Sequence, residues 1–514
     1  TSIGEGAGDA YTTGNNNIAI GKNALTAATT GGANIAVGSL SLDANTTGAS
    51  NVSVGYRALS GNTTANQNTA VGYDALLTNT TGAYNAAFGS YALQASTTSS
   101  FNAAFGDSSL YTNTTGEKNA AFGYKALYTN STGVRNSAFG YTALENNSTG
   151  DYNTAVGAYA LDANTTADDN TAVGYIALGV NTTGSNNTAV GAYSLDANTT
   201  GADNTAVGRA ALSANTTGTR NSAVGSYALD ANTTGDYNSA FGSYALTTSS
   251  TGDSNTALGY YTLAFNTTGD SNVAVGYDAL GDNTTASHNT AVGRAALSKN
   301  TTGTRNIAVG NYALELNETG DDNVAIGYEA LESNIGSNNV AVGSYALDAN
   351  TTAEQNTAIG YNALGGATTG GSNVSVGSNS LKSITTAVCN TAVGRDALEA
   401  NTASNLVAVG FKALEANTTG TANLAVGYAA LQLNTTGQSN TALGYQALDA
   451  NTTTNNNVAV GDRVLTANTA DSNTAVGTFT MQANTTGTAN SAHGYSALND
   501  NKTGGYNVAV GNGA

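Results

Sequence analysis

The chain has 514 residues, 15 basic against 34 acidic, for a formal charge of −19, with no proline, no tryptophan, one cysteine and one methionine. Charge of that sign repels a nucleic-acid backbone, a single cysteine excludes an intrachain disulfide framework, and no apolar run approaches the roughly 20 residues of a membrane span. Asparagine, threonine, alanine and glycine supply most of the letters, which leaves little for an active site, and no cofactor or metal is expected.

The chain opens on "TSIGEGAGD", where Gly8 stands in the place later taken by leucine. The glycines resemble a phosphate loop, but no helix pattern follows to complete an anion site. A start at Thr1 predicts processing or truncation. The chain also closes within a repeat, on "NVAVGNGA". Because an exposed solenoid end is an unpaired strand edge, the expectation is flanking segments or end-to-end stacking on other copies.

From Asn17 the chain repeats itself. Asparagines at 17, 34, 51, 68, 85 and 102, and onward to 323, open the pattern N-x-A-V-G-Y-x-A-L-x-x-N-T-T-G-x-x, 17 residues long. Seventeen residues cannot hold two packed helices and a turn, and no apolar set recurs at helical spacing. Short strands of about four residues remain, one ending at the β-branched or aromatic residue before glycine (Val71, Phe88, Phe105, Phe122, Phe139), the other over x-A-L. Each repeat is therefore predicted to be one coil of an all-β parallel β-solenoid, or β-roll, running over 1–514 as one array without a linker. Coils stacked about 4.8 Å apart would make a rod of roughly 145 Å. The absence of proline fits, because strand amides would donate to neighbouring coils.

The repeated letters predict roles. The glycine after Val71 and its equivalents reads as a sharp corner with positive φ, and Leu25, Leu42, Leu59 and Leu76 as one interior column that Met481 can join. Alanine and its V/I/F neighbour are both near-invariant along the array, yet they point to opposite faces of a strand. One face should therefore line the coil and the other meet a second chain, with the small alanine permitting close approach. The asparagines of N-T-T-G (Asn45, Asn62, Asn79, Asn113) satisfy a glycosylation pattern. They suit better, with the opening asparagines, a ladder of side chains hydrogen-bonded from coil to coil. The tyrosines after glycine (Tyr56, Tyr73, Tyr124, Tyr141, Tyr175) read either as a recognition stripe or as cross-strand stacking on a half-exposed face. Adjacent threonines such as Thr80 and Thr81 raise an ice-binding array, although neighbours in a strand face opposite ways.

The segments "NVAVGYDAL" (Asn272 to Leu280), "NIAVGNYAL" and "NVAIGYEAL" resemble the head repeats of trimeric autotransporter adhesins, and similar repeats of bacterial surface proteins and phage tail fibres. The resemblance implies a left-handed roll, a homotrimer, and attachment through an extended surface. No heptad stalk or C-terminal barrel accompanies it.

Further along, coils beginning at Asn323, Asn390 and Asn457 are one residue short, each in the N-T-T-G stretch, which marks that stretch as the surface turn. His288 and His493 lie about twelve coils apart, roughly 58 Å, and cannot share a site within one chain. His493 takes the V/I/F place, read as a core position. Cys389 sits alone in a variable turn, and the nine-residue calcium-binding solenoid repeat is absent.

The sequence thus predicts a non-enzymatic extracellular fibrous protein, an adhesin head or tail-fibre shaft on a cell surface or virion. Its partners would be further copies of itself, as a homotrimer or end-to-end polymer, and a protein or carbohydrate on a host or environmental surface. A self-assembling filament or sheath is the alternative, and an ice-binding solenoid a minor one.

Overall fold

The computed structural model describes residues 1–514. The chain is all-strand, with 31 short parallel strands, one to a coil, stacked as a β-solenoid, and no helix. The coils form two compact units, Thr1–Asn255 and Thr256–Ala514. In the first, β1 (Ser2–Ile3) to β15 (Ser239–Phe241) pair in sequence order; in the second, β16 (Thr256–Leu258) to β31 (Val508–Val510) do the same. The register is that of the repeat: Thr69 faces Ala86, Ala70 faces Ala87 and Val71 faces Phe88.

Hydrogen bonds run between coils around nearly the whole circuit. The Thr69 amide donates to Asn85 in the following coil (2.8 Å), that of Gly72 to Val54 in the preceding one (2.8 Å), and those of Asp74, Leu76 and Thr80 to Tyr56, Ala92 and Thr97. Turns as well as strands are thus laddered, so a proline would remove a bond at most positions.

Only one strand forms per coil, and it is three residues long rather than four. The second predicted strand, x-A-L, is a turn in which the residues flanking alanine are left-handed: φ is 51° at Asp74 and 52° at Leu76, with a third such residue, Tyr84 (62°), closing the coil. A β-branched or bulky side chain rarely accepts that region, and each costs roughly 1 kcal/mol. The inter-coil bonds made by those same amides hold them there. The glycine corner is as expected, with φ near 141° at Gly72. Close approach also enforces it: a Cβ on Gly174 would lie 2.5 Å from the Gly191 carbonyl oxygen of the next coil.

The interior of a coil is narrow. The leucine column is fully buried from Leu25 to Leu465, and Met481 occupies it equally buried. Around it lie two alanines, for example Ala70 and Ala75, and two asparagines, Asn68 and Asn79, all without exposed surface. This reverses one expectation. The strand alanine points inward, and the V/I/F residue, together with the residue before alanine, points outward. The alanine column therefore lies inside the coil and cannot be a contact between chains. His493, at an outward place, is exposed rather than in a core.

Candidate recognition surface

Four columns of side chains run along the array, each set by the local backbone. The first is the outward V/I/F column. In the first unit Phe88, Phe105, Phe122 and Phe139 stack with ring centroids 4.7, 4.7 and 4.8 Å apart, nearly parallel. In-register parallel pairing places like side chains one strand spacing apart, which is the separation of offset-stacked rings. Phe88 and Phe139 are 36% and 40% exposed, so the stack is a half-open apolar ridge.

The second column is aromatic and lies past the glycine corner. Tyr56, Tyr73, Tyr124, Tyr141 and Tyr175 are all exposed, and the structure joins them into ladders. Tyr56 stacks on Tyr73 at 5.4 Å, and Tyr73 meets Tyr91 edge-on at 5.4 Å. Tyr124, Tyr141, Tyr159, Tyr175 and Tyr193 form a second run, with separations from 5.3 to 6.1 Å. Stacking and exposure hold at once. Sequence reasoning missed Tyr91, Tyr159 and Tyr193, which sit one place further along the repeat; left-handed φ near 60° swings them back into line. Recognising that place as left-handed would have found them. Charge decorates the ladder, as where Arg57 grips Asp74 of the next coil through two bonds of 3.0 and 2.8 Å and lies 5.6 Å from the Tyr56 ring centre.

The third column is the N-T-T-G turn. Asn45, Asn62, Asn79 and Asn113 are wholly buried. Asn62 Nδ2 donates to Asn45 Oδ1 (2.9 Å) and to the Ala65 carbonyl (3.1 Å), and Asn79 Nδ2 to Asn62 Oδ1 and the Gly82 carbonyl. Asn113 Nδ2 donates to Ser99 Oγ and the Gly116 carbonyl. The amide nitrogen that would carry a sugar is enclosed and committed, so a glycan there and the folded coil exclude each other. The opening asparagines form a parallel ladder, in which Asn68 Oδ1 accepts the Asn85 amide proton at 2.9 Å. The first threonine of each pair is drawn into the ladder, Thr63 Oγ1 donating to the Thr80 carbonyl at 3.1 Å, while the second is exposed. In the short coils the asparagine spans one residue fewer: Asn334, Asn401 and Asn468 donate to the carbonyls of Gly336, Ala403 and Ala470. The missing residue comes from the turn, and the interior column is undisturbed.

A fourth row, just beyond leucine, carries acids whose carboxyls are pushed toward the neutral form. Burial, helped by the charge of Glu145, raises Asp162 to about 6. Burial likewise raises Asp196, Glu315, Glu332, Asp348 and Asp449. The remaining sequence-selected residues stay apart. His288 is exposed in a turn, and Cys389 is an exposed free thiol. No group of three or more His, Cys, Asp or Glu side chains is placed to hold a metal ion, and no helix is long and apolar enough to cross a membrane.

The fold and its surface columns define the chain as a tandem-repeat parallel β-solenoid protein. No protein-family model matches it. A comparison with curated proteins finds no similar sequence.

Proposed function

We propose that this chain is a non-enzymatic, extracellular fibrous protein, an adhesin head or fibre shaft, working as a homotrimer that holds a repetitive surface toward a protein or carbohydrate target. The observation that carries the reading is a difference between two outward places on the same strand. The place before alanine accepts Thr69, Ala86, Ser137 or Val273, whereas the place after it is Val, Ile, Leu or Phe in every coil from Ile3 to Val510 except at His493. Strand propensity favours threonine about as well as valine, so exposure to water would let it in at both places. An apolar column interrupted by a polar residue only at His493 is what a covered face requires. The alanine-valine-glycine motif resembles that of trimeric adhesin heads, which supports three copies as the cover. The tyrosine ladders then supply the outer, recognising face, since aromatic side chains present area at small cost in conformational entropy.

Light scattering coupled to size exclusion tests it. A mass near three times 50.9 kDa is expected. The double substitution Phe105→Asp, Phe122→Asp should then lower the mass to that of one chain, and binding to arrayed matrix proteins or glycans should weaken with it. A monomeric unmodified chain overturns the trimer, and an open-ended range of masses favours the filament.

A further inference from the structure

In a repeat protein the common letters account for folding, so a coil that breaks the pattern carries side chains that folding does not require. The coil "NTALGYYTLAFNTTGDS", which begins at Asn255, breaks it at three neighbouring places. Tyr261 joins Tyr260 to make a pair, Thr262 replaces the interior alanine, and Phe265 stands where Ala44, Ala95, Ala163 and Ala197 stand in other coils. Thr262 is absorbed by the fold, its hydroxyl donating to the Gly276 carbonyl at 2.8 Å. Phe265 instead stands exposed. Tyr260, Tyr261 and Phe265, with Tyr277, Asp278 and Asp282 of the following coil, line a cleft of about 430 Å³. That volume lies within the range of small-molecule sites, about 300 to 1,000 Å³.

The residue after leucine is small in both coils. Ala264 and Gly281 are buried in the row that holds Glu315 and Glu332 in the coils after them. The Asp278 carboxylate lies over Gly281, in the space that a Cβ there would fill. The walls turn corners. Tyr260 and Tyr261 are 5.3 Å apart and inclined by 40°, Tyr261 and Phe265 are 6.2 Å apart at 69°, and Tyr260 and Tyr277 are nearly parallel at 5.9 Å. A flat platform for a sugar ring would need coplanar faces; these rings face in several directions around an open cleft. Asp282 is engaged by Lys299 Nζ at 2.9 Å. Asp278 is half-buried, with no protein cation in salt-bridge contact.

We infer that this cleft binds a small organic cation of the alkylated or quaternary ammonium class, seated against the faces of Tyr261 and Phe265 with Asp278 as its counter-charge. A methylated ammonium presents positive charge on an apolar surface, which suits ring quadrupoles and loses little hydration on entering. The chain's charge of −19 draws such a ligand in. The site stands apart from the attachment reading: it belongs to one pair of coils and holds whether or not the array adheres to anything.

The test is a titration of the full chain with tetramethylammonium chloride, followed by broadening of the methyl proton resonance, beside the neutral isostere 2,2-dimethylpropanol. Saturable binding is expected for the cation, weakened roughly fivefold or more for the isostere, the factor expected for about one cation–π contact. Phe265→Ala, Tyr261→Ala and Asp278→Asn should each weaken it by a similar factor, and Tyr141→Ala, in the tyrosine ladder of the other unit, should leave it unchanged. Both alanine substitutions install a residue that other coils carry at that place, as at Ala295 and Ala197. The cation-against-isostere comparison needs no variant. Absence of saturation, equal binding of the isostere, unchanged affinity in the three variants, or saturable binding of methyl glucoside in place of the cation would each overturn the inference.

Discussion

Leu161→Ala is the sharpest perturbation of the interior column. Leu161 is fully buried between Leu144 and Leu178, and the backbone around it is pinned on both sides, its amide donating to Ala177 at 2.9 Å and that of Leu144 donating to Ala160 at 2.9 Å. Leucine-to-alanine changes cost about 2 to 5 kcal/mol depending on how far the site collapses, and a coil bonded to both neighbours collapses little, so the upper half of that range applies. Each coil touches only its neighbours, so the loss appears as local opening rather than as a shift of the whole array. Hydrogen exchange read by mass spectrometry should show the amides of Leu144, Leu161 and Ala163 exchanging roughly a hundredfold or more faster, at about 1.4 kcal/mol per tenfold, while those of Leu25 and Leu42 do not change. Thr142→Gly separates the backbone part. Thr142 is a β-branched residue at φ 50° whose buried hydroxyl has no partner, so glycine there should stabilise the coil by about 1 kcal/mol. An acceleration below about fivefold for Leu161→Ala, or a destabilising Thr142→Gly, would refute the reasoning that a strained, pinned backbone surrounds a filled column.

Two further outcomes follow from the polar interior and the acidic row. Asn130 Nδ2 donates to Asn113 Oδ1 (2.9 Å) and the Gly133 carbonyl (3.0 Å) while its Oδ1 accepts from Asn147 (2.9 Å); Asn130→Ala leaves Asn113 Oδ1 unpaired, while the Gly133 carbonyl keeps Asn119 and Asn147 keeps Gly150, and should cost about 1 to 3 kcal/mol by the same exchange measurement, and Asn130→Asp more, because a carboxylate would face two acceptors. Asp162 has a folded-state pKa near 6 against an ordinary value of 3.8, because burial and Glu145 disfavour its charge. The folded state therefore holds the proton more tightly, and this group's contribution is full below pH 4 and lost as the pH rises through 6. Solvent screening of a half-exposed carboxyl reduces the loss to about 1 kcal/mol. Asp162→Asn should restore that much at pH 7 and nothing at pH 4, read from melting curves at the two values.

The period, the strand, the glycine corner and the leucine column were legible because each is a demand that only one or two residue types meet. Gly72 at φ 141° tolerates no side chain, and Leu76 fills a space that recurs every coil. The shortened coils were legible too, since a deletion survives only where it spares the interior. The second strand misled because x-A-L carries strand-like letters and no glycine, asparagine or aspartate signal at the leucine. Left-handed leucine is imposed by the neighbouring coils, a tertiary effect that no local propensity records. The two faces of N-x-A-V-G were exchanged for a related reason. Alternation places alanine and valine on opposite sides but does not say which side is inside. Size decides it: the interior already holds a leucine and two asparagines per coil, which leaves room only for alanine.

That exchange changes what the conserved spacing of the array means for assembly. A coil with three left-handed side chains, such as Asp74, Leu76 and Tyr84, carries about 3 kcal/mol of backbone strain that is offset only by bonds to the coils before and after it. A single coil is accordingly not a folding unit, and the interior letters are held fixed by stacking alone. The outward valine and phenylalanine places are not held by stacking, because Thr69, Thr154 and Thr171 stack equally well two residues earlier on the same outer face. Their apolar character therefore needs a second cause outside the coil. A column of one apolar residue per strand spacing is matched best by another such column, and in the trimer proposed above further copies of this chain would supply one with the same spacing.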